Sequence, residues 1–337
     1  MRSGDYASVV VSSRIRLARN LNKIAFPTRL SKEKGRIVRD KIIEAIEPVD
    51  NFKVYPMNVL TNKDAMVMHE KHLISRNLVE NKDFGAVCVN IDETVSVMIN
   101  EEDHIREQCI LRGLSLEKAF DTLNKIDNTL AGSLDFSFNN KWGFLTSCVT
   151  NVGTGLRASV MLFLPALTIS GQITNIISNI LKPKRLTVRG VFGEGSGAEG
   201  YLYQVSNATS LGNSEKEIIS LVKENVVWLC EAELEARRKL LKDSFAETKD
   251  LVQRSWGVLT NCYKLGYEDL LKFLGQLKLG IALDLIRFKD NFLVDKLIQT
   301  CLPFSLGKAF DIDLKPEEMD IYRAEYVAQI LKKERLL

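Results

Sequence analysis

Leu145-Thr-Ser-Cys-Val-Thr-Asn-Val-Gly-Thr-Gly-Leu-Arg-Ala-Ser-Val-Met-Leu-Phe-Leu-Pro-Ala-Leu167 decides how the rest of the chain is read. It predicts two strands joined by a turn that carries chemistry. Cys148 closes the first run and Arg157 opens the second. Between them, Gly153 and Gly155 permit an unusual backbone path and close approach of a ligand to main-chain N–H groups. Ala158 to Leu167 is almost wholly apolar, as expected of a strand covered on both faces and ended by Pro165. A thiol, small polar side chains and a guanidinium are thereby presented at the edge of a rigid element. That arrangement suits an anionic ligand held beside a reactive group.

Around this stretch the chain is ordinary in bulk. Its 337 residues suffice for one large or two medium domains with a substantial core. A formal charge of +3, with the basic residues scattered, gives no sign of nucleic-acid binding. The apolar run Leu156 to Leu167 is too short for a membrane span and contains Arg157 and Pro165. The opening Met1-Arg-Ser-Gly-Asp-Tyr6 lacks the apolar segment of a secretory signal, so a cytoplasmic protein is expected. Six cysteines without a Cys-x-x-Cys pair, and only three histidines, argue against a zinc site and for reduced, mostly buried thiols.

Upstream, Val9 to Val11 lead into Ser12-Ser-Arg-Ile-Arg16. A strand period of two puts Arg14 and Arg16 on one face and Ile15 and Leu17 on the other. A solvated basic face and an anion clamp both account for the two arginines; the apolar alternation favours the clamp, for which the forked guanidinium is well shaped. Ser31 to Glu47 reads as a helix with Ile37, Val38, Ile42, Ile43 and Ile46 on one side. A strand near Phe52 to Val59 follows, then a helix from Asn62 to Ser75 bearing His69 and His72, where packing roles are the default. Ala86 to Asn90 and Thr94 to Asn100 form a hairpin. It runs into Asn100-Glu-Glu-Asp-His-Ile-Arg106, an acid cluster that on its own reads as a solvated loop, and is costly if cations do not occupy it.

Ser115 to Leu130 predicts an amphipathic helix, and a further helix is expected from Pro165 to about Leu181. Arg185 to Arg189 is a strand that delivers Gly190-Val-Phe-Gly-Glu-Gly-Ser-Gly-Ala-Glu-Gly200. That segment lacks the Gly-Lys-Ser/Thr ending of a P-loop, and a strand rather than a helix follows it at Tyr201 to Val205. It reads either as a mobile loop that carries Glu194 over a substrate or as a plain hairpin connection. Ser214-Glu-Lys-Glu217 has the form of a capping box, and the helix it opens extends to about Ser244. Everything beyond is helical. The expected domains are 1–235 and 236–337, the fold class α+β with an all-α C-terminal domain.

The candidates are Arg14, Arg16, Arg106, Arg157 and Arg189, the acids Glu102 and Glu194, and Cys148, each at a strand end or in a loop beside one. Five guanidiniums fit a triphosphate whose charge is shared with Mg²⁺. Two carboxylates and a thiolate fit a planar cationic group. Ser12 to Arg16, Asn100 to Arg106, Thr146 to Arg157 and Arg189 to Glu194 together resemble the signatures of the ATP:guanido phosphotransferases. Over nearly the whole chain the pattern is most similar to the bacterial protein-arginine kinases of that family.

The resemblance implies an antiparallel sheet lined with active-site residues and flanked by helices, then a helical domain that mediates homodimerisation. By the same resemblance ATP with Mg²⁺ would contact Ser12, Ser13, Arg14, Ile15, Arg16, His72, Arg106, Arg157, Ala158, Ser159, Val160, Met161, Arg189, Gly190, Val191, Phe192 and Gly193. Glu102 and Glu194 would hold the guanidinium, with Glu102 as base and Cys148 as the thiolate beside it. The first arginine strand starts almost at Met1, whereas kinases of free arginine and creatine carry a helical domain ahead of it; an open acceptor site for arginine in proteins is therefore expected. The resemblance implies as partners protein substrates, a heat-shock repressor, an activator protein and a Clp unfoldase that degrades marked clients. A kinase of free arginine and a non-catalytic phosphoarginine or Clp adaptor are the alternatives. In Met319-Asp-Ile-Tyr-Arg-Ala324 the resemblance implies a regulatory phosphoarginine pocket at Asp320 and Arg323, weakened by Met319 where the family has arginine. An i,i+3 surface ion pair accounts for Asp320 and Arg323 equally well.

Overall fold

The computed structural model describes residues 6–49, 51–80, 82–190, 199–290, 292–312 and 315–336. The β-branched run after Val9 becomes β1 (Val10–Arg19). It is followed by β2 (Phe52–Pro56), β3 (Ala86–Asn90), β4 (Val95–Ile99), β5 (Ile105–Arg112), β6 (Phe138–Asn139), β7 (Gly143–Phe144), β8 (Leu156–Phe163), β9 (Leu186–Gly190) and β10 (Leu202–Asn207). Eight of these form one sheet in the order β2-β3-β4-β5-β1-β8-β10-β9, and β6 pairs with β7. A large antiparallel sheet flanked by helices, with an all-helical C-terminal region, is the fold expected.

Register settles which side chains share a face. Arg16 lies opposite Gln108 and Ala18 opposite Arg106, so Arg14, Arg16, Arg106 and Gln108 point to one side of the sheet. Ile15, Leu17, Arg19, Glu107 and Cys109 point to the other, where helix Leu116–Ser133 packs. That helix buries Leu116, Ala119, Leu123, Ile126 and Leu130, spaced three and four apart as a single apolar stripe requires.

The chain divides into two compact units, residues 1–161 with 182–187 and 205–226, and residues 162–181 with 188–204 and 227–337. In the second, helices Phe245–Asn261 and Tyr267–Ala282 approach so closely that a Cβ at Gly280 would lie 2.5 Å from Val252 Cγ1. Their core includes Leu259, Leu270, Leu274, Leu277, Val327 and Leu331. Helix Glu215–Asp243 starts with the expected reciprocal cap: the Glu217 N–H donates to Ser214 Oγ at 3.3 Å, and the Ser214 N–H to Glu217 Oε2 at 2.7 Å.

Four local expectations change. The first expected strand, ending at Cys148, does not form; Leu145–Cys148 belongs with the turn to one loop that carries a 3-10 turn at Val149–Asn151, the Thr146 hydroxyl bonding to Cys148 O and the Ser147 hydroxyl to Glu102 O. The helix expected after Pro165 is broken into Pro165–Ile169, Gln172–Ile176 and a π-turn at Ile177–Leu181, with Gly171 at φ 70° between the first two. Helix Asn62–Glu70 stops short because His72 turns to φ 60°. In helix Lys32–Ile46 the buried stripe runs through Val38, Ile42, Ala45 and Ile46, leaving Ile37 exposed.

Under β1 and β5 lies a carboxyl that no hydrogen-bond donor among the described residues holds ionised. Glu107 is fully buried, and neither of its oxygens has a donor partner among the described residues. Burial first, then the facing Asp127, push its pKa well above the usual carboxylate range, and Arg19 offsets this only in part. Glu107 therefore keeps its proton and offers it to Asp127. The native state binds a proton that the unfolded chain releases, so stability from this group falls as pH rises through the window between the two pKa values. Glu107→Gln, which donates an N–H without titrating, should flatten that slope. As pH rises above the usual carboxylate range, the urea midpoint of the variant should fall less than that of the wild type.

Candidate active site

The basic face of the sheet is under electrostatic stress. Arg14 donates to Gln108 Oε1, yet the Nε of Arg14 and the Nε of Arg16 are sealed from solvent without a hydrogen-bond partner among the described residues. Burial first, then the charges of Arg106 and Arg157, lower the Arg14 pKa to about 9 and hold Arg16 well below its ordinary value, with Arg14 adding to the repulsion on Arg16. Both side chains keep a partly exposed edge, which tempers the cost of burial and leaves the mutual repulsion as the part an anion would relieve. Orphaned guanidinium donors in an open trough are what a polyphosphate fits. Arg157 adds a donor bonded to Ser206 Oγ at 3.1 Å. His72, solvent-exposed on its turn, lies within electrostatic reach of Arg14.

The acid run at the β4–β5 turn is divided among three environments. Burial alone would raise Glu101, but its ion pair with Arg106 at 2.8 Å outweighs that; together with bonds from Ser75 and the Glu102 N–H it holds the carboxyl below the usual range. Asp103 is buried and raised, first by desolvation, and accepts from Ser147 N at 2.7 Å and Asn20 Nδ2 at 2.6 Å. Glu102 is half-buried between them, with no hydrogen-bond partner for its carboxyl among the described residues. Burial, then Asp103 and Glu101, raise its pKa, while Arg106 and Arg16 pull the other way. Of three adjacent carboxyls, the middle one is left to act.

Ser147 joins that turn to the opening loop, its hydroxyl donating to Glu102 O at 2.8 Å. The next residue, Cys148, is partly exposed, with Sγ 3.0 Å from Thr150 Oγ1. The loop is pinned at its base by Phe144 N to Gly153 O, 2.7 Å, where Gly143 adopts φ 73° and a Cβ would collide with the Gly153 carbonyl. The buried Ser210 hydroxyl braces Thr150 O and Val152 O at 3.2 Å each.

Arg14, Arg16, Arg106, Arg157, Glu102 and Cys148 thus fall within one unit, on the arginine-bearing face and the turns beside it. Ser13 and Ile15 face the opposite side; Ser13 Oγ donates to Gly113 O at 2.7 Å, so these two offer a ligand only main chain. Ser12 shares the arginine face. Ala158 and Val160 are buried in β8, out of phase with Arg157, Ser159 and Met161. Arg189 and Gly190 end β9, with Arg189 exposed. Val191, Phe192, Gly193 and Glu194 lie outside the described residues. In the helical unit Arg323 is only 2 % exposed, donating to Cys301 O at 3.0 Å, Leu265 O at 2.8 Å and Asp320 at 2.6 Å. It is not the surface ion pair considered from the sequence, and a phosphoarginine would have to displace these bonds. Glu101, Asp103, Asn20 and Ser147 stood in stretches singled out from the sequence but were given no role, and Gln108 was not considered. For Gln108 the signal available was a polar residue in a strand position of β5.

Residues 34–236 match the family model for the ATP:guanido phosphotransferase C-terminal catalytic domain. The chain belongs to that family. It is an ATP-dependent phosphotransferase. Residues 246–336 match a second model, the protein-arginine kinase McsB C-terminal domain. The chain is 42 % identical over 332 residues to a protein-arginine kinase of Caldanaerobacter subterraneus subsp. tengcongensis, covering 97 % of this chain and 98 % of that one. It is 42 % identical to the protein-arginine kinase of Halothermothrix orenii, covering 96 % and 93 %. Among solved structures, a lombricine kinase matches with TM-score 0.61 and 26 % identity over 68 % of each chain. A duplicated taurocyamine kinase from Schistosoma mansoni with transition-state analogue components matches with TM-score 0.63 and 25 % identity, over 80 % of this chain and 40 % of that one.

Two outcomes follow from the site's electrostatics. Arg16→Gln should raise the melting temperature of the nucleotide-free protein by about 2 °C or more while abolishing the rise that ATP causes in the wild type, as read by scanning calorimetry. Alkylation near neutral pH should mark Cys148 first by peptide mapping, since Cys88, Cys230 and Cys301 are buried with pKa pushed up to about 12, Cys109 to about 11, and Cys262 is raised by burial.

Proposed function

We propose that this protein transfers the γ-phosphoryl group of ATP to the guanidinium of arginine side chains in proteins. The observation that carries the reading is Glu102, a half-buried carboxyl with raised proton affinity. It is tied by Ser147 to the loop of Cys148 and stands beside Arg14 and Arg16, whose Nε atoms lack partners among the described residues. The names of the relatives that match over nearly the whole chain support a protein acceptor.

A guanidinium has a pKa above about 12, so its nitrogen attacks poorly until a proton is drawn off. Deprotonated Glu102 accepts that proton as the N–P bond forms and the bond from phosphorus to the ADP oxygen breaks; the proton then passes to solvent. Its raised pKa strengthens it as a base. Arg14, Arg16, Arg106 and Arg157 neutralise charge on the phosphates and hold them in line. Arg189 and Glu194 complete the nucleotide and guanidinium contacts in this reading, and Cys148 steers the incoming cation. Among the described residues no group of three or more ligating side chains could hold a metal ion, so Mg²⁺ would be carried on the phosphate oxygens, where it shares their charge.

In the same reading residues 1–235 are the catalytic domain and 236–337 pair two copies. The protein works in the cytoplasm, where its marks direct clients to a Clp unfoldase and relieve a heat-shock repressor, with an activator protein as partner. No helix among the described residues is long and apolar enough to cross a membrane. The lombricine and taurocyamine kinases named above favour a second reading, a free guanidino acceptor.

Incubation with ATP, Mg²⁺ and an arginine-rich protein should give acid-labile phosphate on arginine, located by mass spectrometry under non-acidic conditions. Turnover with free arginine alone would favour the second reading, and label on serine would defeat both. Glu102→Gln should lower kcat about 10²–10⁴-fold with the KM for ATP changed less than about twofold. The wild-type rate should fall as pH drops through the raised Glu102 pKa, so its acid limb should lie above the usual carboxylate range.

A further inference from the structure

Arg19 ends β1 and Asn20 follows it; both are nearly sealed from solvent, at 2 % and 1 % exposure, and neither belongs to the basic trough. The Arg19 guanidinium donates from Nε and Nη2 to the two oxygens of Asp127 at 3.0 and 2.8 Å, and from Nη1 to Ala18 O at 2.9 Å and Thr154 O at 3.0 Å. It lies 3.7 Å from the centre of the Phe144 ring, and an added Cβ at Gly155 would stand 2.5 Å from Nη1. Asn20 Nδ2 donates to Asp103 Oδ1 at 2.6 Å and to Leu145 O at 3.1 Å, while its Oδ1 accepts from His104 N at 2.9 Å.

These bonds fall on the two feet of one loop. Asn20 grips its start at Leu145, and Arg19 grips its end at Thr154, with Cys148 between. Asn20 also holds Asp103 and His104, the residues that follow Glu102. Asp103 in turn receives the Ser147 N–H, one residue before Cys148. A single dipeptide at the end of a rigid central strand therefore touches both pieces of backbone that present the acceptor groups. We infer that Arg19 and Asn20 are positioning residues that set the separation of Cys148 from the Glu102 carboxyl. The inference rests on the reading that these two groups handle the acceptor.

A lysine at position 19 keeps a cation opposite Asp127 but cannot also span to Thr154 or lie as a plane on Phe144. An aspartate at position 20 keeps the acceptor for the His104 N–H but loses the donor to Leu145 and places a carboxylate against Asp103. Misplacement by about 1 Å can cost about 10²-fold in rate. Arg19→Lys and Asn20→Asp should each lower kcat for arginine phosphorylation of a protein acceptor by about tenfold or more, with the KM for ATP within about twofold of wild type. Unchanged kcat in both single variants would overturn the inference, as would kcat and ATP binding falling together. If Arg19→Lys does not fold, the Asn20 variant decides alone. A wild type that leaves protein arginine unmodified would instead overturn the underlying reading.

Discussion

Two guanidiniums two residues apart on one strand face, with two more from β5 and β8 beside them, impose the constraint on which this molecule turns. Folding brings Arg14 and Arg16 together although nothing among the described residues answers both of their charges. Gln108 accepts from Arg14, and Glu101 is occupied by Arg106; both Nε atoms remain without a partner among the described residues. A buried donor left unsatisfied costs stability that the fold must recover elsewhere. The apolar opposite face, with Ile15 and Leu17 almost fully buried, supplies that recovery and holds the arginines in place without flexing. In the proposed reading, affinity for a polyphosphate is stored as this unrelieved cost and released by the nucleotide, which is the relation between stability and function expected at a preorganised site.

The acid run obeys the same logic with the opposite sign. Three adjacent carboxyls would repel one another if left alike, and the fold makes them unlike. Glu101 is committed to a cation and pulled down; Asp103 is committed to an N–H and an amide; Glu102 is raised and left free. Environments that drive neighbouring titratable groups apart are how one site assigns separate duties to chemically identical side chains. Glu101 pairs with Arg106 of the arginine-bearing face, and Asp103 accepts from Ser147 in the Cys148 loop. In the proposed reading, the two neighbours of Glu102 tie it to the groups that would handle each substrate.

The arginine face was legible because β1 obeys strict alternation, so a period of two placed Arg14 and Arg16 together from residue types alone. The capping box at Ser214 and the helix Leu116–Ser133 were equally plain, each resting on local chemistry. The loop conformation of Leu145–Cys148 was not. Residue types there allow a strand, and bonds that hold the loop instead come from Ser210, Asn20 and Arg19, all distant in sequence. The helix predicted after Pro165 failed at Gly171, where φ 70° ends it within two turns. Ser13 and Ile15 show the limit of carrying a motif over as a block: alternation sends every second residue of a signature away from the ligand. The resemblance to a known family supplied roles for Glu102 and Cys148 that the acid run and the lone thiol could not assign by themselves.

What no pattern of residue types reveals is whether a buried arginine is answered. Arg19 is answered by Asp127 and two carbonyls, Arg323 by Asp320 and two carbonyls, and Arg237 by Glu233 at 2.8 Å with the Phe163 carbonyl. Glu233 meanwhile accepts the Ala166 and Leu167 N–H groups at the start of helix Pro165–Ile169, so that pair joins three pieces of chain. These three guanidiniums are buried as deeply as apolar side chains because each charge has a carboxylate and each donor plane meets backbone oxygens. Arg14 and Arg16 differ in being partly exposed and in having no carboxylate partner among the described residues, with Nε atoms left unbonded. In the proposed reading function follows the arginines the fold leaves unsatisfied, while the satisfied ones hold the framework in place.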